Sequence, residues 1–561
     1  MNDALESLPR QIVVCCDGTN NTLTAHQRDT NVLRLYEHLK NHPAPRRQLY
    51  YDPGVGAPAG SPPSDPFDAF GRGIERLSEL ASGRGIYDNI SDAYLFLVNQ
   101  YRGEPDQIYL FGFSRGAFTV RCVAGMVHLF GLIRPEHAAL LPTLIQIYFS
   151  LPADKKGTAW QELMRRLHNV FAELQVDRAR LAQQVREDFT SPPGRDAWVH
   201  CVGVWDTVES VGLPGPLSRS NPSTATFRDK RVRHVRQALA FDEHRWTFEP
   251  RLYEEPHDII DAATQRSFKQ RWFPGDHCDV GGSGPPASIG LSNASLDWMV
   301  NELSLCDLAL PAITSAPTAT LRHDPLWSTP WWALAGMCLR DMRPRTADKT
   351  PIAVIAGPSV VGPLPSVWGQ RRSLRGLVVA TLLGALFFVL SGACLTPEGW
   401  PGLNSMAALR VAAWASAEFA RAQLASLWAS GLWPVQRYAG AQPAWAMFWD
   451  FAFIACWGYL LARIASRAFA WLAGRRRPDT PLPAWRMLGF APLAAVAGDM
   501  AENLCTLGAL ALHGIGTDLS AAGLLWLGGV AAGVKLGGLL ACVPLLAVRL
   551  WIAMPWVRRQ G

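Results

Sequence analysis

The sequence predicts an α/β domain with a mainly parallel sheet and a helical cap insertion, followed by an all-α transmembrane bundle. Short apolar runs alternate with helical segments through about the first 300 residues, which is the pattern of a parallel sheet covered by helices. A charged helical stretch at 136–195 interrupts that alternation and is expected to form the cap. Long apolar runs dominate residues 376–556, whereas residues 1–370 have an ordinary density of charge. These features predict two domains, 1–370 and 376–556.

Four buried strands can be placed from the apolar runs of the first domain. The stretch 12–16 ends in the polar turn Asp17-Gly18-Thr19, and "RQLYYD" follows further along the chain. Residues 108–113 form a third run, and "VHCVGVWD" ends at Asp206. Because the carboxyl ends of parallel strands meet at one edge of a sheet, we expect the polar residues that follow these strands to lie together.

The charge distribution indicates a membrane partner rather than a nucleic acid. Lys and Arg number 53 against 47 Asp and Glu, and much of the excess lies beside apolar runs, in "QRRSLRG", "AGRRRP" and "VRRQG". Basic clusters beside apolar helices are typical of membrane flanks. The first 370 residues contain no basic stripe with interleaved aromatic residues, so nucleic-acid binding is not expected.

The cysteine pattern favours a reducing compartment. The 11 Cys are scattered, with no C-x-x-C pair and no Cys/His ladder, which argues against a disulfide framework and a structural zinc site. We expect no cofactor and no metal, although Asp17 and Asp279 are potential ion ligands. The N-terminal segment has no long apolar stretch, so no cleavable signal peptide is expected.

Four apolar runs in the second domain are each long enough for a transmembrane helix, which needs about 20 residues. They lie at about 377–395, 446–471, 488–512 and 524–551. Basic clusters on one side of an even number of spans predict that both termini are cytoplasmic. The segment 406–433, between the first two spans, is expected to form an amphipathic interfacial helix.

Three ionisable residues, Asp499, Glu502 and Lys535, fall inside the third and fourth predicted spans. Charges at membrane depth are costly and often functional. The alternative is an interhelical ion pair, because Asp499 and Glu502 are three residues apart and share a helix face. We favour the ion pair, since two acids and one lysine make a short relay.

The motif GFSRG at residues 112–116 indicates a nucleophilic serine. It joins an apolar strand to a helical segment, and a serine on such a turn presents its Oγ at the end of the strand. The backbone N–H of Arg115 is then a candidate oxyanion donor at the helix N-terminus. A second donor is expected from Gly18 or Thr19, in the turn that begins at Asp17.

A nucleophilic serine needs a base, which in turn needs an orienting acid. His277, in the polar segment "RWFPGDHCDVGG", is the best candidate base, and Asp206 is the best candidate acid. Asp276 and Asp279 are rival acids, because they flank His277. Two other histidines, His234 and His244, lie in sequence that is charged and helical in character, where a solvated or satisfied state is expected.

The blocks "VVCCDGTNNT", "YYDPGVG", "LFGFSRGAFTVRCVAG", "CVGVWDTVESVG", "RWFPGDHCDVGG" and "LSNASLDWMVNEL" resemble the α/β-hydrolase catalytic domain of type VI secretion lipase effectors, over roughly residues 10–305. The resemblance implies a triad of Ser114, Asp206 and His277, and phospholipase A-type cleavage of glycerophospholipids. It also implies that the Asp17 turn borders the oxyanion site. The apolar C-terminal half departs from those effectors.

The predicted function is therefore a membrane-anchored serine hydrolase that cleaves phospholipids or other acyl esters. We expect it in a bacterial inner membrane, as a multi-pass protein with a cytoplasmic catalytic domain. Two alternatives remain open. In one, the four helices form a channel, transporter or sensor with a non-catalytic hydrolase-like module; in the other, the chain is a secreted antibacterial effector.

Overall fold

The computed structural model of the protein describes two compact units. The first, here the sheet unit, comprises Met1–Glu243, Thr247–His323 and Met342–Gly362; the second, the helical unit, comprises His244–Trp246, Asp324–Asp341 and Pro363–Gly561. The described residues are 9–18, 29–54, 84–103, 105–149, 178–190, 197–208, 230–253, 259–261, 263–283, 289–313, 322–340, 352–354, 371–393, 443–473, 482–514 and 518–553.

Seven strands of the described residues form one sheet, in the order β2-β1-β3-β4-β5-β7-β6. Neighbouring strands are parallel, except that β6 pairs antiparallel with β7 at the edge. The mainly parallel α/β fold predicted from the sequence is confirmed. The strands are β1 Gln11–Cys16, β2 Arg47–Asp52, β3 Gln107–Phe113, β4 Val199–Trp205, β5 Val232–Ala240, β6 Ile259–Asp261 and β7 Arg266–Phe273.

Helices cover both faces of the sheet, and alternate residues of each strand enter different cores. Val14 packs in the core formed with α2 and α3, whereas Val13 and Cys15 pack in the core formed with α1 and α7. The near-continuous apolar character of β1 and β3 follows from this two-sided burial. The helices of the sheet unit are α1 Asn31–Asn41, α2 Arg84–Gln100, α3 Ser114–Phe130, α4 Leu141–Phe149, α5 Arg178–Asp188, α6 His277–Gly281 and α7 Gly290–Ser304.

The described parts of the predicted cap are helical, as expected. A 3-10 segment, Pro135–Leu140, leads into α4, and α5 follows further along the chain. Leu144, Tyr148 and Val185 are buried in the same core as α2 and α3, so these parts pack on one face of the sheet unit. The rest of 136–195 lies outside the described residues.

One local expectation was wrong. The charged sequence around His234 forms the buried strand β5 instead of a helix. The strand accommodates its charges by pairing them. Arg236 Nε donates to Glu302 Oε2 over 2.6 Å, and His234 Nδ1 lies 2.8 Å from Ser267 Oγ. These partners are 66 and 33 residues away, so local periodicity does not show them.

The helical unit contains four long helices among its described residues, after a short helix α8 at Pro325–Ser328 and a 3-10 segment at Pro330–Ala335. Two stretches, Phe448–Ala473 and Trp526–Trp551, are long and apolar enough to cross a membrane. The four-span topology stays a prediction, and the segment 406–433 lies outside the described residues. The long helices are α9 Arg371–Ala393, α10 Pro443–Ala473, α11 Leu482–Gly514 and α12 Asp518–Ala553.

The three ionisable residues of the predicted third and fourth spans lie together in the helical unit. Lys535 Nζ on α12 lies 2.5 Å from Asp499 Oδ1 and 3.4 Å from Glu502 Oε2 on α11. Trp457 Nε1 of α10 donates to Asp499 Oδ2 over 3.1 Å. The contacts agree with the ion-pair interpretation, in which these groups join neighbouring helices.

Candidate active site

Ser114 lies at a sharp turn between β3 and α3, with a backbone φ of +58°. A non-glycine residue in this conformation stores about 1–3 kcal/mol of strain, and such residues cluster at functional sites. The flanking glycines make the turn possible. A Cβ on Gly112 would lie 2.5 Å from the Gly116 carbonyl oxygen, and a Cβ on Gly116 would lie 2.2 Å from that of Cys16. The GFSRG motif therefore occupies a strand–turn–helix junction.

The turn after β1 adjoins the serine turn, because Gly116 packs against the carbonyl groups of Cys16 and Asp17. Asp17 is buried and accepts hydrogen bonds from Tyr51 Oη over 2.8 Å and from Gly18 N over 2.6 Å. The N–H of Gly18 is thus already engaged by a carboxylate. Thr19, the other expected oxyanion donor, lies outside the described residues.

Asp206 follows β4 in a left-handed conformation, with a φ of +40°, and is fully buried. Its Oδ1 accepts from the backbone N–H of Ala240 over 2.9 Å. Its Oδ2 lies 2.5 Å from His277 Nδ1. The carboxylate is therefore fixed by β5 on one side, and its second oxygen is directed at the imidazole.

His277 is the first residue of α6, directly after the turn that follows β7. Asp276 caps this helix by accepting from the Asp279 N–H over 2.8 Å, and the Asp279 carboxylate accepts from the N–H of Asp276 in return. The imidazole packs against the rings of Phe113 and Phe248, with ring centroids 4.6 Å and 5.0 Å away. The ring is thereby held in one orientation, with Nδ1 on Asp206.

The structure brings Asp206 and His277 into direct contact, and contacts of residues adjacent in the chain link the Ser114 turn to this pair. The backbone N–H of Val208, two residues after Asp206, donates to the Ser114 carbonyl oxygen over 3.3 Å. Phe113, which precedes Ser114, contacts the His277 ring. The described residues show no hydrogen bond between the Ser114 hydroxyl and His277, and such bonds are often long in unliganded sites.

The rival acids are engaged elsewhere. Besides capping α6, Asp279 lies 2.6 Å from His323 Nδ1 through its Oδ1, and this hydrogen bond raises the pKa of His323. The rival histidines contact other groups. Burial lowers the pKa of His234 to about 4, so it is neutral, and His244 belongs to the helical unit, where its Nδ1 lies 3.3 Å from Asp324.

Sequence reasoning missed two contributors to the site, Val208 and Phe248. No chemical motif marks either of them, and each is recognised only by its contact with a candidate residue. For the suggested ion ligands, the described part of the chain contains no group of three or more His, Cys, Asp or Glu side chains placed to hold a metal ion. Both Asp17 and Asp279 make the hydrogen bonds described above.

The parallel sheet and the strand–turn–helix at GFSRG are the architecture of an α/β hydrolase. The family model for the type VI secretion system (T6SS) phospholipase effector Tle1-like catalytic domain matches residues 10–302, just over half of the chain. The chain belongs to that family, and its sheet unit is a lipase-type hydrolase domain. The resemblance found in the sequence is confirmed.

The chain is also similar to a yeast protein. "Uncharacterized protein YEL023C" of Saccharomyces cerevisiae is 30% identical over 248 residues, which make up 43% of this chain. The match covers 32% of the yeast protein, so the chain spans about a third of the length of this curated relative.

Proposed function

We propose that the protein is a membrane-anchored serine hydrolase that cleaves the acyl esters of glycerophospholipids, in the manner of a phospholipase A. The observation that carries the proposal is the strained Ser114 turn beside a buried pair in which His277 Nδ1 lies 2.5 Å from Asp206 Oδ2. Membership of a phospholipase effector family supports the substrate class. The two long apolar helices of the helical unit support membrane anchoring.

In the proposed mechanism, His277 Nε2 removes the Ser114 proton as Oγ attacks the ester carbonyl carbon. Asp206 keeps the Nδ1–H tautomer and stabilises the imidazolium that forms. His277 then protonates the leaving alkoxide, and a water molecule, activated by the same imidazole, hydrolyses the acyl-enzyme. The fatty acid leaves and the Ser114 hydroxyl is restored.

The oxyanion is proposed to accept hydrogen bonds from the backbone N–H of Arg115 and from one N–H of the turn after β1. Arg115 is the second residue of α3, whose N-terminus carries partial positive charge. Because Gly18 N donates to Asp17, Thr19 is the better candidate for the second donor. Loss of one such donor typically costs about 3 kcal/mol of transition-state stabilisation.

The test is Ser114→Ala in the full-length protein, assayed on phospholipid in mixed micelles. We expect kcat to fall by at least about 10⁴-fold with the unfolding temperature unchanged. A fluorophosphonate probe should label the wild type and not the variant. The matched control is Ser91→Ala on α2, a serine that donates to the Tyr87 carbonyl and should keep full activity. Undiminished turnover by folded Ser114→Ala would refute the nucleophile assignment.

The same probe separates the enzyme from the alternatives. A channel or sensor with an inactive hydrolase-like module should not be labelled when folded. The pairing of Lys535 with Asp499 and Glu502 gives these residues a structural role and does not favour transport. Against the effector alternative, we propose a resident enzyme of a bacterial inner membrane with a cytoplasmic sheet unit. Toxicity that requires delivery outside the cytoplasm would contradict that location.

A further inference from the structure

The Arg115 side chain is a buried cation that makes no ion pair or hydrogen bond with any described residue. The residue is only 7% exposed. Burial lowers the pKa of its guanidinium to about 10, and no acid among the described residues offsets that effect. The side chain therefore remains charged at neutral pH in a desolvated position, which is a costly arrangement.

Other buried arginines of the sheet unit have partners. Arg121, six residues later on the same helix, donates from Nη1 to the Arg251 carbonyl over 2.6 Å, and its guanidinium lies 3.8 Å from the centre of the Tyr253 ring. Arg236 pairs with Glu302. Arg115 differs from both, so its charge is not explained by packing within the described residues. A buried guanidinium of this kind fits an anion that arrives with a ligand.

Arg115 directly follows the candidate nucleophile in the chain. Its Cα is therefore about 3.8 Å from that of Ser114, and both residues belong to the same strand–turn–helix junction. The N-terminus of α3 adds partial positive charge at the same place. Asp17 and Asp206, two carboxylates of the candidate site, are both buried. Without a nearby cation, a negatively charged ester would be repelled from this site.

We propose that the Arg115 guanidinium binds the phosphodiester of a glycerophospholipid and so selects phospholipids over neutral glycerides. This inference rests on the proposed function, because it requires Ser114 to be the nucleophile. A phosphodiester matches the site because it places a permanent negative charge one glycerol backbone away from the ester. The planar guanidinium donates two parallel N–H bonds to two phosphate oxygens, a geometry that an ammonium group does not reproduce.

The experiment compares Arg115→Met, Arg115→Gln and Arg115→Lys with the wild type. Each is assayed on dioleoyl phosphatidylglycerol and on dioleoylglycerol in the same mixed micelles. The readout is the selectivity ratio, which is kcat/KM for the phospholipid divided by kcat/KM for the diacylglycerol. We expect this ratio to fall at least about tenfold for Arg115→Met and Arg115→Gln, because the loss of a hydrogen bond to a charged group typically weakens binding by about that factor. The Lys variant, which keeps the charge, should give an intermediate ratio.

Arg121→Met is the matched control, since it removes a buried arginine with structural partners from the same helix. It should lower the two kcat/KM values by the same factor and leave their ratio unchanged. A wild-type ratio in Arg115→Gln or Arg115→Met would overturn the proposal. The proposed function fails separately, if Ser114→Ala still hydrolyses both lipids.

Discussion

Helices α3 and α12 are both apolar, yet they use their hydrophobic residues differently. Of the 17 residues of α3, only His128 and Leu129 are not buried, because the helix lies between the sheet and other helices. In α12, only five of the 26 residues of the apolar stretch Trp526–Trp551 are buried, and Leu540 is 63% exposed. By composition α3 and the helical segment after it also qualify as a bent membrane span. Burial, rather than composition, distinguishes a core helix from a candidate membrane-spanning helix.

The two units also hold buried carboxylates in different ways. In the helical unit, Asp499 is 2% exposed and is paired with Lys535. In the sheet unit, Asp52 is 7% exposed; its Oδ1 accepts from the Gly54 N–H, whereas its Oδ2 is buried and has no hydrogen-bond partner. The Asp499 charge is therefore balanced by a neighbouring cation, whereas the Asp52 carboxylate keeps one oxygen without a hydrogen-bond partner.

The largest expected effect on stability comes from replacing a glycine of α3, and a glycine of α12 provides the comparison. Gly116→Val places a side chain where even a Cβ would lie 2.2 Å from the Cys16 carbonyl oxygen, so β1 and α3 are forced apart. We expect a loss of more than about 5 kcal/mol and no folded protein. Gly537→Val is the control, because nothing lies within 4 Å of its Cβ position. Its stability should change by less than about 1 kcal/mol.

The stability of both glycine variants is assessed from their soluble yield and from their unfolding midpoint in detergent. The contrast between the two helices fails if Gly116→Val folds with a wild-type midpoint, or if Gly537→Val is as damaging as Gly116→Val.

Removal of the paired lysine should have the next largest effect. Lys535→Met leaves Asp499 and Glu502 buried without their cation, and we expect a loss of about 3–5 kcal/mol in detergent. Lys535→Met combined with Asp499→Asn and Glu502→Gln removes all three charges and should recover most of the loss. Thermal unfolding of the two proteins is the measurement. Equal stability of Lys535→Met and the wild type would mean that the pair does not hold the helices.

The candidate catalytic residues could be found from the sequence because each follows a short apolar strand. Ser114 follows β3, Asp206 follows β4 and His277 follows the turn after β7, so a parallel sheet brings them to one edge. The strand assignment failed at His234, because the charges of β5 are satisfied by residues remote in sequence. The sequence around Asp17 also gave no indication that its carboxylate accepts from the Gly18 N–H, because this hydrogen bond depends on the rotamer of the Asp17 side chain.

The smallest predicted effect concerns the Asp52 carboxylate, whose Oδ2 is buried without a hydrogen-bond partner. Burial raises the pKa of Asp52 to about 6, and its neighbours Asp92 and Asp17 act in the same direction. The folded protein therefore holds this proton more tightly than the unfolded chain, whose carboxyl has a pKa near 4. Stability is lost as the pH rises from about 4 to about 6, and the full penalty remains above that window.

Asp52→Asn keeps the acceptor for the Gly54 N–H and removes the charge. We expect it to stabilise the protein by about 2 kcal/mol at pH 8 and by nearly nothing at pH 4, as measured by chemical unfolding at both values. Asp106→Asn is the opposite control, because Asp106 forms an ion pair with Arg10 at 2.6 Å and its loss should destabilise the protein at pH 8. A gain from Asp52→Asn that is equal at both pH values would show that packing, and not the buried charge, limits stability at this edge of the sheet.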